Sequence, residues 1–266
     1  MRALEQSKLL HNRLKYNNFI LNMGIFMTRF TLAQFTNFLK TVDLQSYREQ
    51  FQFIKTVEMD LPKQIQALRT IYEQYWQNKC ALAEPVLFDD YYKVYWDEHE
   101  NDIIKFWHTT GFGTNCDCFK KGLKARIYRT WVALITQIHG GYVAESVFGK
   151  NSVKMGTELD HKNVDILVVN SDGTVNLKIQ IKKETHRPEI ARMHKNVTST
   201  GGIVDVYYIV PNYNEYENEP YYKIGKRKNE LRDSLKEFIK FNTKGTLDRL
   251  PNGFVIFTPN AFKELL

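Results

Sequence analysis

Cysteine is scarce in this chain: three of the 266 residues are cysteines, an odd number that cannot pair completely. This scarcity excludes a small disulfide-stabilised secreted domain and favours a reducing compartment. Cys116 and Cys118 lie close together, but no second pair of ligands follows at the spacing of a zinc site. We therefore expect the cysteines to be structural.

Long hydrophobic runs are missing as well. No stretch reaches the roughly 18 consecutive apolar residues of a membrane-spanning helix. The short apolar segment at residues 19–26 lacks the small-residue cleavage site of a signal peptide. We therefore expect a soluble cytoplasmic protein with no membrane partner.

The composition is that of a folded protein with an excess of positive charge. Hydrophobic residues make up 43% of the chain and aromatic residues 14%, which excludes a disordered protein. The formal net charge of +7 favours an anionic partner, with nucleic acid ahead of a membrane surface. A chain of 266 residues is long enough for one domain with a helical extension.

Hydrophobic spacing divides the chain into three regions. Residues 1–28 have no clear place in the fold and are predicted to form an N-terminal arm. Residues 29–118 have helical spacing, and the aromatic stripe at residues 88–107 is interpreted as core and not as a base-stacking surface. Residues 119–266 begin with a long helix to residue 148, in which Gly140-Gly141 is expected to be a weak spot. The strands predicted after that helix cover residues 152–157, a hairpin, residues 203–210 and residues 254–257, with a closing helix at residues 259–266.

The hairpin is the most informative stretch, because ionisable residues lie at particular ends of its strands. Residues 164–169 and 175–183 are β-branched apolar runs on either side of an Asp-Gly turn. Side-chain alternation places Gln180 and Lys182 on the same face of the second strand. Asp165, at the start of the first strand, is level with both of them in an antiparallel pairing.

This set of residues resembles a variant of the PD-(D/E)xK nuclease motif, with Gln180 in the place of the second acid. Phosphodiester hydrolysis uses a divalent cation to neutralise developing charge and to lower the pKa of the attacking water. Asp165, the Gln180 amide oxygen and the Ile181 carbonyl are oxygen ligands of the kind that Mg²⁺ prefers. Lys182 would stabilise the hydroxide or the pentavalent phosphate. The motif is short, so the alternative is a polar strand end at the surface.

Basic residues cluster after the hairpin and in the C-terminal third of the chain. Residues 223–249 contain nine lysine and arginine residues against four acidic ones. This stretch is the candidate DNA-contacting surface, mainly through phosphates, and a solvated helix face at residues 231–241 is the alternative. The side chains expected to contact DNA are Lys183, Arg187, Arg192, Lys195, Lys226, Arg227 and Lys228.

From about residue 30 onward the chain resembles the TaqI family of type II restriction endonucleases. The resemblance covers most of residues 30–195 and is thin beyond about residue 200. It rests on residues 111–113 (GFG), 125–131 (ARIYRTW), 134–137 (LITQ), 141–145 (GYVAE), Leu159-Asp160 with Val164-Asp165, residues 180–184 (QIKKE) and residues 187–189 (RPE).

The resemblance implies an α/β (α+β) fold: a restriction-endonuclease-like core with a mixed central sheet flanked by helices, preceded by a helical N-terminal region. It implies Asp160, Asp165 and Lys182 as catalytic residues, with Mg²⁺ as cofactor. Lys183 stays an alternative to Lys182, although strand parity favours Lys182. Asp160 is either a second metal ligand or a loop acid, and Glu145, in the helix before the hairpin, is a possible additional acid or a solvated helix-end residue.

Three functions are compatible with these observations. The first is a magnesium-dependent type II restriction endonuclease. It would act as a homodimer that cuts double-stranded DNA at a short palindrome, TCGA by the resemblance, and a cognate DNA methyltransferase would protect the same site. The second is a structure-selective repair or recombination nuclease. The third is a DNA-binding protein without catalysis, which would bind DNA equally well in EDTA and in magnesium.

Overall fold

The computed structural model describes residues 29–51, 53–57, 60–79, 82–110, 116–184, 202–210, 221–224, 227–231 and 238–266. The predicted N-terminal arm at residues 1–28 lies outside these residues.

The N-terminal region is helical, as its spacing predicts. A capping box begins the first helix: the Thr31 hydroxyl accepts from the Gln34 amide, and the Gln34 side chain accepts from the Thr31 amide. The elements of this region are helix α1 (Leu32–Thr41), helix α2 (Leu44–Phe51), a 3₁₀ turn (Lys63–Ile65), helix α3 (Leu68–Ile71), a π-helical turn (Tyr72–Trp76) and helix α4 (Phe88–Trp107).

The long predicted helix is confirmed as α5 (Cys116–Phe148), which forms the centre of the aromatic core. The fully buried Trp131 lies with its ring centroid 6.3 Å from that of Phe38, 6.1 Å from Tyr75 and 5.5 Å from Phe88. Tyr91 and other aromatic residues of α4 are buried beside it. The interpretation of the aromatic stripe as core is therefore confirmed.

Helix α5 continues without a break through Gly140 and Gly141 to its predicted end at Phe148. A β-carbon at Gly140 would lie 2.8 Å from Cδ1 of Ile181 and 3.2 Å from the Phe257 ring. A β-carbon at Gly141 would overlap Sδ of Met155. These glycines allow α5 to pack closely on the strands beneath it, and that packing outweighs their poor helix propensity.

The central sheet has four strands in the order β1-β2-β3-β4. The strands are β1 (Val153–Lys154), β2 (Ile166–Val169), β3 (Val175–Glu184) and β4 (Ile203–Ile209). The first three pair antiparallel, whereas β3 and β4 pair parallel, so the sheet is mixed. Strand β1 is shorter than the predicted strand at residues 152–157, because Thr157 already begins the short helix α6 (Thr157–Asp160).

Besides a helical segment at residues 238–241, two small hairpins and a short helix complete the described part of the chain. They comprise β5 (Tyr221–Ile224), β6 (Arg227–Leu231), β7 (Leu247–Arg249), β8 (Val255–Phe257) and helix α7 (Asn260–Lys263). The alternative of a helix face at residues 231–241 is wrong for Leu231, which pairs with Tyr221 in a hairpin, whereas residues 238–241 are helical. The predicted last strand and closing helix are confirmed.

Buried side chains from both the helical region and the sheet form one continuous cluster, from Phe30 to Phe262. The molecule is therefore a mixed α/β protein with a mixed sheet and several helices. No helix in the described ranges is both long and apolar enough to cross a membrane.

Candidate active site

The hairpin that carries the predicted site forms as the sequence indicates. Ile166 pairs with Ile179 and Val168 with Leu177 in the antiparallel β2–β3 ladder. The amide of Asn170 donates to the carbonyl of Thr174 at 2.9 Å, and Gly173 has the positive φ of 83° that the turn requires. This register brings the start of β2 level with the middle of β3.

Asp165 lies immediately before β2, and its carboxylate is buried. The residue is 5% exposed, and its Oδ2 accepts a 2.6 Å hydrogen bond from the amide of Ile181. The pKa of Asp165 is raised to about 6, mainly by burial, with a further contribution from the nearby charge of Asp160. The Ile181 amide and the charge of Lys182 act in the opposite direction. A buried, incompletely neutralised carboxylate is a favourable position for a cation.

Asp160 ends the short helix α6, and the turn that follows returns the chain to β2. The amide of Val164 donates to the carbonyl of Leu159 at 3.0 Å, and Asn163 adopts a left-handed conformation with φ of 56°. Asp160 is half-buried, and burial raises its pKa. The turn therefore brings the two aspartates close enough for their charges to interact.

Lys182 does not bond directly to either aspartate. Its Nζ donates to Oδ2 of Asp205 at 2.7 Å, and the same oxygen accepts from the Tyr207 hydroxyl at 3.1 Å. Asp205 lies on β4, in the strand predicted at residues 203–210, and is not among the predicted site residues. The signal that could have found it is an acid inside a continuous apolar run, because a buried carboxylate requires a partner.

The pairing of β3 with β4 fixes which β3 side chains share this face. Gln180 lies opposite Asp205 and Lys182 opposite Tyr207, so Gln180 and Lys182 lie on one face with the β4 acid. Lys183 points to the other face, is exposed, and has its pKa lowered by partial desolvation of its ammonium. The structure therefore has the side-chain alternation that favours Lys182 over Lys183: Lys182 shares the face of Gln180, and Lys183 does not.

Tyr72, in the π-helical turn, is not among the site residues predicted from the sequence. Its side chain is 1% exposed, and its hydroxyl has no hydrogen-bond partner among the described residues. Burial raises its pKa, and the charges of Asp160 and Asp165 raise it further. Tyr72 also lines a cavity together with residues 155–159. No sequence pattern links it to a site almost a hundred residues later.

Glu145 has two partners away from the hairpin. Its carboxylate pairs with the Arg29 guanidinium, and its Oε1 accepts from the Asn151 amide at 2.8 Å. Of the basic residues expected to contact DNA, Arg227 and Lys228 lie on β6. Arg187, Arg192, Lys195 and Lys226 lie outside the described residues.

The chemistry of the donor set fits a hard divalent cation. In the described part of the chain, no group of three or more His, Cys, Asp or Glu side chains could hold a metal ion. Two neighbouring carboxylates, an amide oxygen and a backbone carbonyl nevertheless provide oxygen donors, and the buried carboxylate has a raised pKa. Asp160, Asp165, Gln180 and Ile181 are therefore the candidate ligands of such an ion.

Comparisons with known proteins identify the family to which the chain belongs. The family model described as TaqI restriction endonuclease matches residues 32–266. Type II restriction enzyme TthHB8I of Thermus thermophilus is 30% identical over 236 residues, which cover 88% of this chain and 86% of that enzyme. Type II restriction enzyme TaqI of Thermus aquaticus shows the same identity and coverage. No solved structure matches the chain.

These matches show that the protein is of the type II restriction enzyme class. The chain belongs to the TaqI restriction endonuclease family, and the family resemblance and the enzyme class predicted from the sequence are confirmed. The family match extends to the C-terminus, well past the region in which the sequence resemblance is thin.

Proposed function

We propose that the protein is a site-specific deoxyribonuclease that requires Mg²⁺ and cuts double-stranded DNA at TCGA. The observation that carries this proposal is the position of Asp165. Its buried carboxylate is bonded to the backbone of β3 between Gln180 and Lys182, in a chain of a restriction endonuclease family. The site, in our proposal, belongs to a PD-(D/E)xK-like core in which Gln180 replaces the second acid.

Asp160, Asp165, Gln180 and the Ile181 carbonyl would hold the divalent ion. When bound, the ion neutralises charge on the scissile phosphate and lowers the pKa of the attacking water. The raised pKa of Asp165 means that cation binding and loss of its proton are coupled, so the site binds metal more tightly as pH rises through about 6.

Lys182 would act on the reacting phosphate. An ammonium has three donors, and Asp205 accepts one of them, which leaves two for the attacking water and a phosphate oxygen. The water oxygen bonds to phosphorus, the bond between phosphorus and the 3′ oxygen breaks, and that oxygen takes up a proton. The products are a 5′-phosphate and a 3′-hydroxyl.

The protein, in this proposal, acts as a homodimer alongside a protecting DNA methyltransferase. A palindromic site needs two symmetric cuts, which a twofold homodimer supplies directly. A DNA methyltransferase acting on the same sequence would protect the host, without forming a stable complex. The division into a helical region (residues 29–118) and a catalytic core (residues 119–266), the cytoplasmic location, and the DNA contacts of the basic residues remain predictions.

Digestion of unmethylated phage DNA in Mg²⁺, beside the same reaction in EDTA, tests the proposal. We expect discrete fragments in Mg²⁺ alone, and sequencing of their ends should give TCGA at every cut. DNA of the same sequence, methylated at TCGA sites beforehand, is the matched control and should stay intact.

Other outcomes favour the alternatives. Cuts that follow branches or mismatches and show no common sequence would point to a structure-selective nuclease. A folded protein that shifts DNA equally in EDTA and Mg²⁺, and never cuts it, would be a DNA-binding protein without catalysis.

A further inference from the structure

The bond between Lys182 and Asp205 differs from the surface ion pairs of this protein. The Lys182 side chain is 26% exposed and that of Asp205 is 12% exposed, compared with 77% and 45% for Lys105 and Asp102 on α4. Exposed pairs of the second kind contribute little to stability and hold no fixed geometry. The Lys182–Asp205 pair is largely removed from water, so its geometry is fixed.

Stability gives no adequate reason for this pair. Asp205 interrupts an otherwise apolar strand, and a partly buried ion pair is often no more stabilising than well-packed apolar side chains in its place. The Tyr207 hydroxyl is a second donor to Oδ2 of Asp205, at 3.1 Å. Two donors on one oxygen fix the direction of the carboxylate, and the carboxylate in turn fixes the Lys182 ammonium.

The strand register places this carboxylate in the region of the candidate active site. Asp205 lies directly opposite Gln180 across the parallel β3–β4 pair, two residues before the partner of Lys182. Because Lys182 lies opposite Tyr207, its side chain must extend back along β3 toward Gln180 to reach the Asp205 carboxylate. The ammonium is therefore held on the side of Lys182 that is nearer to Gln180 and to the level of Asp165.

We propose that Asp205 is a positioning residue that holds the Lys182 ammonium in place for phosphodiester hydrolysis. The inference rests on the proposed function, because it assigns Asp205 a role through a lysine that acts on the phosphate. It predicts that Asp205 contributes to the rate of the chemical step only while Lys182 is present. DNA affinity and the Mg²⁺ requirement do not depend on it.

A double-mutant cycle tests this role. The single-turnover cleavage rate is measured for the wild type, Asp205→Asn, Lys182→Ala and the double variant, with the Mg²⁺ concentration for half-maximal rate and DNA binding in EDTA. Asp205→Asn should lower the rate about 10- to 100-fold, in the range of residues that support a catalytic group. In the Lys182→Ala background the same substitution should change the rate by less than about twofold. Asp102→Asn, which removes the exposed α4 pair, is the matched control and should leave the rate unchanged.

Several results would overturn the proposal. An equal loss of rate in both backgrounds would mean that Asp205 acts independently of Lys182, and a higher Mg²⁺ requirement would make it a metal ligand. An unchanged rate in Asp205→Asn would make the pair merely structural. If the asparagine variant does not fold, Asp205→Glu serves in the same cycle, since it keeps the charge and displaces it by one methylene. A wild-type protein that cuts no DNA contradicts the proposed function itself, whereas a wild type that cuts with additive variants contradicts only the role of Asp205.

Discussion

The amide of Ile181 donates a 2.6 Å hydrogen bond to Oδ2 of Asp165, which joins the acid before β2 to the backbone of β3. Ile181 lies between Gln180 and Lys182, and its own side chain packs under Gly140 of α5. The position of the Asp165 carboxylate therefore depends on the hairpin register and on the packing of the long helix.

Substitution of Asp165 by asparagine should stabilise the metal-free protein at high pH. The folded-state pKa of about 6 lies above the ordinary value of 3.8, so the carboxyl group favours folding below pH 4, and this contribution is lost as pH rises through 6. At pH 8, Asp165→Asn should raise the free energy of unfolding in EDTA by on the order of 3 kcal/mol. Urea unfolding at pH 4.5 and pH 8 measures the difference, which should fall to about 1 kcal/mol at the lower pH. The exposed Asp97→Asn is the control, and a gain of equal size at both pH values would contradict the explanation.

His139 should make the protein sensitive to acid. Burial lowers its pKa to about 3, and its Nε2 lies 3.2 Å from the Thr36 hydroxyl. The pKa of His139 is lower in the folded protein than in the unfolded chain. The contribution of neutral His139 to the free energy of unfolding is therefore complete above about pH 6.5 and is lost as pH falls. When the pH falls from 7.5 to 5.5, the free energy of unfolding should decrease by about 1 kcal/mol less in His139→Gln than in the wild type. The exposed His108→Gln variant is the control and should show the pH dependence of the wild type. The explanation is wrong if His139→Gln shows that same pH dependence.

Gly140→Ala should disturb the site from the opposite side of the sheet. The added β-carbon would lie 2.8 Å from Cδ1 of Ile181, so the side chain or its strand must shift. Alanine has a better helix propensity than glycine, which offsets about 1 kcal/mol of the packing cost, so the free energy of unfolding should change little. The cleavage rate should fall about tenfold, because the shift displaces the site. Ile181→Val removes the clashing Cδ1, and the double variant should recover most of the lost rate. Failure of Ile181→Val to restore cleavage would show that the contact does not transmit the effect.

Tyr72→Phe should stabilise the metal-free protein. Its buried hydroxyl has no hydrogen-bond partner among the described residues, and removing an unsatisfied buried group should add about 1 kcal/mol to the free energy of unfolding. Tyr95→Phe is the matched control, because the Tyr95 hydroxyl donates to the Ile65 carbonyl at 2.6 Å, and its removal should destabilise by about 1 kcal/mol. Thermal unfolding in EDTA distinguishes the two, and a loss of stability in Tyr72→Phe would contradict the prediction.

The local features of the site could be predicted from the sequence. The hairpin, its turn and the parity of β3 follow from patterns that extend over a few residues, and they place Gln180 and Lys182 on one face. Asp205 could not be assigned in this way, because parallel pairing of β4 with β3 joins segments separated by about twenty residues and leaves no periodic signal.

Tertiary packing explains the other differences. Gly140 and Gly141 weaken a helix by local propensity, but the close approach of α5 to Ile181 and Met155 requires them. The charge pattern at residues 223–249 indicates a basic surface without revealing that part of it is the hairpin of β5 and β6. Local patterns therefore predict the hairpin residues, whereas contacts between distant elements identify their partners.

The most direct test of the account is single-turnover cleavage of a TCGA-containing duplex by the wild type and by Asp165→Asn, with DNA binding measured in EDTA. The account predicts that Asp165→Asn binds DNA within a few-fold of the wild type but cuts more than about a thousandfold more slowly, since several kcal/mol of transition-state stabilisation are lost. Cleavage by Asp165→Asn at the wild-type rate in Mg²⁺ would show that the chemistry lies elsewhere in the protein.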